Sequence, residues 1–262
     1  MSLIGITLFA AMQTSTTWPG TVSDYHGFTM HSFQFDGCEC LVVEPKAAAK
    51  GNRWIWRMEF FDHRPMADLA LLDKGYFLTY MNVGNTFGAP RAVDHLESFY
   101  REMTKNYHLN RKVVLEGFSR GGLYAYNLAV RNPRAVACIY GDAPVCDFRS
   151  WPGGKGKGPG SKSDWESLIP LYGFKNEAEA IAYTHNPIDE LEPLAKAKVP
   201  ILHVIGAADE VVPVSENTDV VESRYKKLGG TIEVIRKPGG LHHPHSLDDP
   251  TPIVDFVLKH QR

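Results

Sequence analysis

The sequence predicts an α/β chain of three layers, a mostly parallel central sheet with helices on both faces, and an inserted cap or loop segment after the strand near 135–141. Three observations predict it. From residue 53 onward short apolar runs alternate with helix-period patterns. The spacing between runs leaves room for a helical crossover each time, which is what parallel neighbours require. A single stretch, 146–198, breaks the rhythm. At 262 residues and 44% apolar, the chain can bury a substantial core.

Residues 1–20 form an N-terminal segment. Its opening, "MSLIGITLFAAMQTSTT", is too short an apolar stretch to span a bilayer and lacks a basic leading region. It reads either as a remnant of a secretory signal or as a docked or dangling terminus. Residues 21–262 are expected to form one domain. In it, "GFTMHSFQFD" (27–36) and "ECLVV" (39–43), punctuated by Gly37, predict an antiparallel hairpin at the start of the sheet. Then come the strand "RWIWRM", a helix over 65–73, the strand "YFLTYMNV", a helix over 92–106, the strand "KVVLEGF" and a helix over 121–131. The strand "AVACIYGD" precedes the insertion. "PILHVIGA", a helix over 215–228, "TIEVIRKP" and a final helix over 251–259 complete the pattern. The insertion opens with "CDFRSWPGGKGKGPGSKSDW", too rich in Gly, Lys and Ser for regular structure, and continues in weak helical runs up to Pro200. Such inserts commonly cap a site at the carboxyl ends of the strands.

A formal charge of −2 and a pI near 6.6 give no basic field, so nucleic acid and an anionic membrane are poor partners and a small molecule is the better one. The four cysteines, at 38, 40, 138 and 146, have neither paired CxxC spacing nor the number for a disulfide scaffold. Redox compartment, and with it a cytoplasmic or a secreted or periplasmic location, is left open, as is the oligomeric state.

Chemistry is concentrated in "LEGFSRGGLYAY" (115–126). Gly117 and Gly121 flank Ser119 at G-x-S-x-G spacing, between an apolar strand and a helical run. Either the glycines only let a strand turn into a helix, or the turn holds Ser119 out as a nucleophile. The helix start behind it offers unpaired N–H groups where an oxyanion would develop. A serine nucleophile needs a base, and the base needs an acid to hold its tautomer. The order serine, acid, histidine is present: Asp209 follows "PILHVIG", and His242 lies in "GGLHHPH" after "IEVIRKP". Taken singly, Asp209 is a capping aspartate or His242 a solvated loop histidine as readily as a catalytic group; the joint order favours the triad.

These motifs resemble the α/β-hydrolase superfamily, close to the small esterases grouped with dienelactone hydrolases and the prolyl-oligopeptidase-like enzymes. The resemblance runs from about 38 to 260 and rests on "GFSRGG", "GAADEVVP" and "KPGGLHHPH". It implies the three-layer α/β-hydrolase fold, a serine hydrolase acting on a small-molecule carboxylic ester, Ser119 as nucleophile, Asp209 as acid and His242 as base, with no cofactor and no metal. It also implies Arg120 N–H as first oxyanion donor. The second donor departs from the pattern, because the loop "WRMEFFDHRP" has no glycine; Glu59 or Phe60 takes the role by position. "GFSRGG" resembles glucuronoyl esterases over those few residues, which implies Arg120 near the oxyanion and esters of carbohydrates or uronic acids; an arginine tied to a neighbouring carboxylate is the plainer alternative.

Rivals are also present. Asp142, in "YGDAP", and Asp147 compete with Asp209, and His243 and His245 with His242. A metal on the histidines of HHPH is disfavoured by spacing and by the lack of nearby acids. In the insertion, Lys155, Lys157 and Lys162 are either a basic lid for an anionic substrate or a solvated loop, and Trp151 and Trp165 either anchor it or stack on a sugar. Trp54 and Trp56 are expected to pack the strand. A peptidase of the prolyl oligopeptidase kind is the nearest alternative, although no propeller is visible in the sequence. A catalytically silent binding protein of the same fold is the alternative from another class.

Overall fold

The computed structural model describes residues 17–261. The N-terminal apolar stretch discussed above falls outside these residues.

A hairpin starts the described chain. Strand β1 (Thr21–Tyr25) pairs antiparallel with β2 (Phe28–Phe35), which pairs antiparallel with β3 (Cys38–Glu44). β1 went unread because four of its five residues are exposed, so no apolar alternation marks it. After β4 (Trp54–Arg57), helix α1 (Met66–Asp73) and β5 (Phe77–Asn82), the chain crosses through α2 (Pro90–Lys105) to β6 (Val113–Phe118). Helix α3 (Gly121–Arg131) leads to β7 (Val136–Asp142). Between β7 and the next strand lie three short helices, α4 (Lys162–Leu171), α5 (Glu177–Ile181) and α6 (Glu192–Lys196). β8 (Ile201–Gly206), α7 (Thr218–Lys227), β9 (Ile232–Lys237) and α8 (Thr251–His260) close the chain.

The nine strands form one sheet in the order β1-β2-β3-β5-β4-β6-β7-β8-β9, antiparallel through β3 and β5 and parallel from β5 onward. β6, β7 and β8 are buried along their whole length, because both faces are covered. On one face Trp54, Trp56 and Leu115 pack with Leu96 and Phe99 of α2, Leu123 of α3 and Tyr225 of α7. On the other, Ile55, Leu78 and Val114 pack with Leu71 of α1 and Ile253 and Val257 of α8. Burying one such side chain contributes about 1.5–3 kcal/mol. Trp54 and Trp56 are fully buried and stacked on each other, so they are core residues.

One consequence matters for chemistry. In the parallel part every strand ends on the same edge, and that edge carries the loop after β4, Ser119 after β6, Asp142 at the end of β7, Asp209 after β8 and His242 after β9.

Candidate active site

Ser119 sits in the left-handed region, φ 48°, in the two-residue bend between β6 and α3. A non-glycine residue there is strained, and three backbone hydrogen bonds hold it: its N–H donates to the Asp142 carbonyl at 2.8 Å, and its own carbonyl accepts from Gly122 and Val145. The surrounding glycines are steric necessities. A Cβ on Gly117 would sit 2.7 Å from the Gly121 carbonyl oxygen, and one on Gly122 would sit 2.6 Å from that of Val145. The serine side chain is thereby pushed out at the sheet edge.

Its Oγ lies 3.0 Å from His242 Nε2. His242 Nδ1 lies 2.7 Å from Asp209 Oδ2, both side chains being buried. The other carboxylate oxygen of Asp209 accepts from the N–H groups of Val211 and Val212, each at 2.9 Å, which fixes the acid before the histidine reaches it. The structure thus brings Ser119, His242 and Asp209 into one chain of hydrogen bonds, with both imidazole nitrogens engaged. That arrangement can move a proton from a serine hydroxyl to an imidazole whose cationic form is held by a carboxylate.

The backbone N–H of Arg120, next to the nucleophile, has no acceptor among the described residues. The loop after β4 comes up beside it: a Cβ on Gly121 would lie 3.7 Å from the Glu59 nitrogen and 3.3 Å from its Cβ. Glu59 N–H is therefore adjacent to the elbow. Phe60 follows at φ 53°, and its ring lies under the Arg120 guanidinium at 4.9 Å. The Arg120 side chain donates through Nε to Glu59 Oε2 at 3.0 Å. Burial pushes the Glu59 carboxyl up while Arg120 pulls it back down.

What lets a glycine-free loop take this path is Arg57, which the sequence reading passed over. Fully buried at the end of β4, it donates through Nε to the carbonyls of Glu59 and Phe60 and through a terminal nitrogen to that of His63. Its other terminal nitrogen meets Asp68 at 2.5 Å and Glu116 at 3.3 Å. Burial, then the neighbouring Asp68 charge, push the Glu116 carboxyl well above the usual carboxylate range, while the Arg57 guanidinium pulls it down. The available signal was the pair of charges in the otherwise apolar strands "WIWR" and "VVLEGF".

The rival acids have other duties. Asp142 does not reach His242. It receives His245 Nδ1 at 2.8 Å, the Ser246 N–H at 2.9 Å and the Tyr140 hydroxyl at 2.8 Å, and so anchors the histidine loop to β7. Asp147 is held by Arg149 in the insertion. His243 is exposed and bonds to neither Ser119 nor Asp209.

The insertion residues are not gathered at the triad. Lys155 is drawn to Glu177 at 2.5 Å and lies over the ring of Trp165; Trp151 packs toward Phe87; Lys162 pairs with Glu166 one helical turn on. Lys157 borders a cavity that the Asp209 loop also lines, its Nζ 3.3 Å from the Ser215 hydroxyl. The glycine-rich start of the insertion is closely packed: Asn217 caps the N–H groups of Cys146 and Asp147, and Glu216 binds Ser150 and the Lys157 N–H.

Residues 89–260 match the model of the prolyl oligopeptidase family, a span that holds all three triad residues. The chain belongs to the prolyl oligopeptidase family. Its fold is accordingly the α/β-hydrolase fold, and its class that of the serine hydrolases. Among solved structures it is similar to a puromycin-hydrolyzing peptidase of Mycobacterium tuberculosis, at 13% identity and a TM-score of 0.68 over 88% of this chain and 38% of that one. It is likewise similar to dipeptidyl peptidase 4 of Porphyromonas gingivalis, at 14% identity and 0.68, covering 90% of this chain and 36% of that one. A putative lipase of Acinetobacter baumannii matches at 14% identity and 0.59, over 90% of this chain and 92% of that one. The chain spans little more than a third of the peptidases' length and nearly all of the lipase's. No curated protein matches the sequence.

Proposed function

We propose that this chain is a serine hydrolase that cleaves carboxylic esters through an acyl-enzyme. The observation that carries the reading is the continuous path from Ser119 Oγ through His242 to Asp209, at 3.0 and 2.7 Å. Ser119 Oγ attacks the acyl carbonyl as its proton passes to His242 Nε2. The negative oxygen of the tetrahedral intermediate is received by the Arg120 N–H and, from the loop after β4, the Glu59 N–H. The intermediate collapses, the carbonyl–oxygen bond breaks, and His242 returns the proton to the leaving alkoxide. Water, deprotonated by the same imidazole, releases the acid and restores Ser119.

A second reading, cleavage of amides, draws support from the family and from the puromycin-hydrolyzing and dipeptidyl peptidase neighbours. Both readings share every step but the leaving group. Esters of carbohydrates or uronic acids are the narrower form of the first; the pairing of Lys155 with Glu177 and of Arg120 with Glu59 reduces the free positive charge available to an anionic substrate.

A fluorophosphonate probe should label the native chain at Ser119 alone. Lack of labelling in the folded protein would point instead to a binding module. Turnover of an ester and an amide with the same acyl group then separates the two hydrolase readings, the ester being expected to react at least about tenfold faster.

A further inference from the structure

Three histidines that the hydrolytic chemistry leaves unused meet beside the triad. His63 comes from the loop after β4, and His243 and His245 from the loop after β9; one ring nitrogen of each lies within 4.8 Å of the others. We propose that His63, His243 and His245 bind one zinc ion, or another imidazole-preferring divalent ion of the late first row, and that the ion clasps these two loops together.

The donor set suits such an ion. Zinc takes imidazole nitrogen at about 2.0–2.1 Å in a tetrahedral shell, which sets ligand nitrogens about 3.4 Å apart. The ligand nitrogens already lie within 4.8 Å of one another, so a closure of about 1.4 Å at most between any two completes the site. The imidazoles of His63 and His243 belong to exposed residues and make no hydrogen bond among the described residues, so side-chain rotation can make that adjustment. His245 is the fixed member. Asp142 holds its Nδ1 at 2.8 Å and leaves Nε2 for a metal, the carboxylate–histidine arrangement that orients metal ligands. The backbone is set as well: Arg57 fixes the His63 carbonyl, and Arg64 Nε donates to the His245 carbonyl at 3.2 Å across the two loops.

Charge around the cluster is balanced. Arg57 is neutralised by Asp68 with Glu116, Arg64 meets Asp248 at 2.5 Å, and Asp142 supplies a buried negative charge behind His245. Spacing within HHPH disfavours a site on consecutive histidines, and His242 indeed has both nitrogens engaged by Ser119 and Asp209. The third ligand comes instead from about 180 residues away, and the missing acid is Asp142.

The test uses untagged full chain stripped with a chelator and titrated with Co²⁺, then Zn²⁺. Expected are one Co²⁺ per chain with the intense visible bands of a tetrahedral site, displacement by one equivalent of Zn²⁺, and a rise in Tm of about 3 °C or more at saturating zinc. His63→Ala and His243→Ala, both at exposed positions, should each weaken zinc binding about tenfold or more, and Asp142→Asn should do so through His245. His185→Ala, outside the cluster, should not. Absence of tetrahedral Co²⁺ bands, or zinc binding that survives both His63→Ala and His243→Ala, overturns the proposal.

Discussion

At Ser119 three demands meet: a half-buried hydroxyl turned to the sheet edge, a strained backbone and a base at 3.0 Å. Ser119→Ala should reduce kcat by about 10³-fold or more with little change in unfolding midpoint, since the side chain contributes chemistry rather than packing. The two buried aspartates separate by function. Asp209→Asn should lower kcat by about two to four orders of magnitude, because an amide presents the wrong hydrogen-bonding face to His242 Nδ1. Asp142→Asn should instead lower stability, by about 1–3 kcal/mol in urea unfolding, with the milder effect on kcat, as it weakens three buried hydrogen bonds of the histidine loop. The reverse ranking would make Asp142 the acid. Ser119, Asp209 and His242 were legible because each lies in a short motif directly after an apolar strand. Arg57, His63 and the partnership of Asp142 with His245 were not, since each acts across more than 50 residues of chain or across loops of no recognisable pattern.

Among elements, the junctions of β6 with α3 and of β4 with its following loop decide the site. Gly122 is pressed against the backbone of Val145, whose N–H in turn binds the Ser119 carbonyl. Gly122→Ala should therefore displace the elbow as well as cost about 1–3 kcal/mol, and its kcat should fall although the triad side chains are intact. The loop after β4 has a different device. Phe60, Asp62 and Arg64 all have positive φ without being glycine, a strain of order 1 kcal/mol or more each that the Arg57 hydrogen bonds offset. Sequence patterns find strands and helices through periodicity, and they found the parallel strands here. They missed β1, four of whose five residues face solvent, and they carried no signal for a left-handed loop built without glycine.

For the molecule as a whole, one buried base sets a limit on acid tolerance. His203 in β8 is held between the Tyr126 hydroxyl at 2.8 Å and Thr218 Oγ1 at 3.0 Å, and burial pushes it down to about 3. Between the unfolded value near 6.5 and about 3 the unfolded chain takes up a proton that the native one refuses. Stability is therefore lost as pH falls across that window, by up to about 1.4 kcal/mol per unit from this group. In urea unfolding at pH 7 and 4.5, His203→Gln should show a clearly smaller loss than the parent; an equal loss would assign acid lability to other groups. The surface gives the complementary expectation. With a formal charge of −2 and the insertion lysines Lys155 and Lys162 paired, kcat/KM for a neutral ester should change less than about twofold between low and physiological salt.

By itself the sequence determined the alternation of strand and helix, and therefore a parallel sheet whose carboxyl edge receives Ser119, Asp209 and His242 in that order, because apolar periodicity and short turn motifs are local properties of the chain. Only the tertiary structure decided what surrounds them. It assigned Asp142 to His245, set Glu59 beside the elbow, turned Lys155 toward Glu177 and gathered His63 with His243 and His245. Each of these depends on where separate loops converge, and that is set by the twist and order of the sheet and the packing beneath it, which no window of sequence contains.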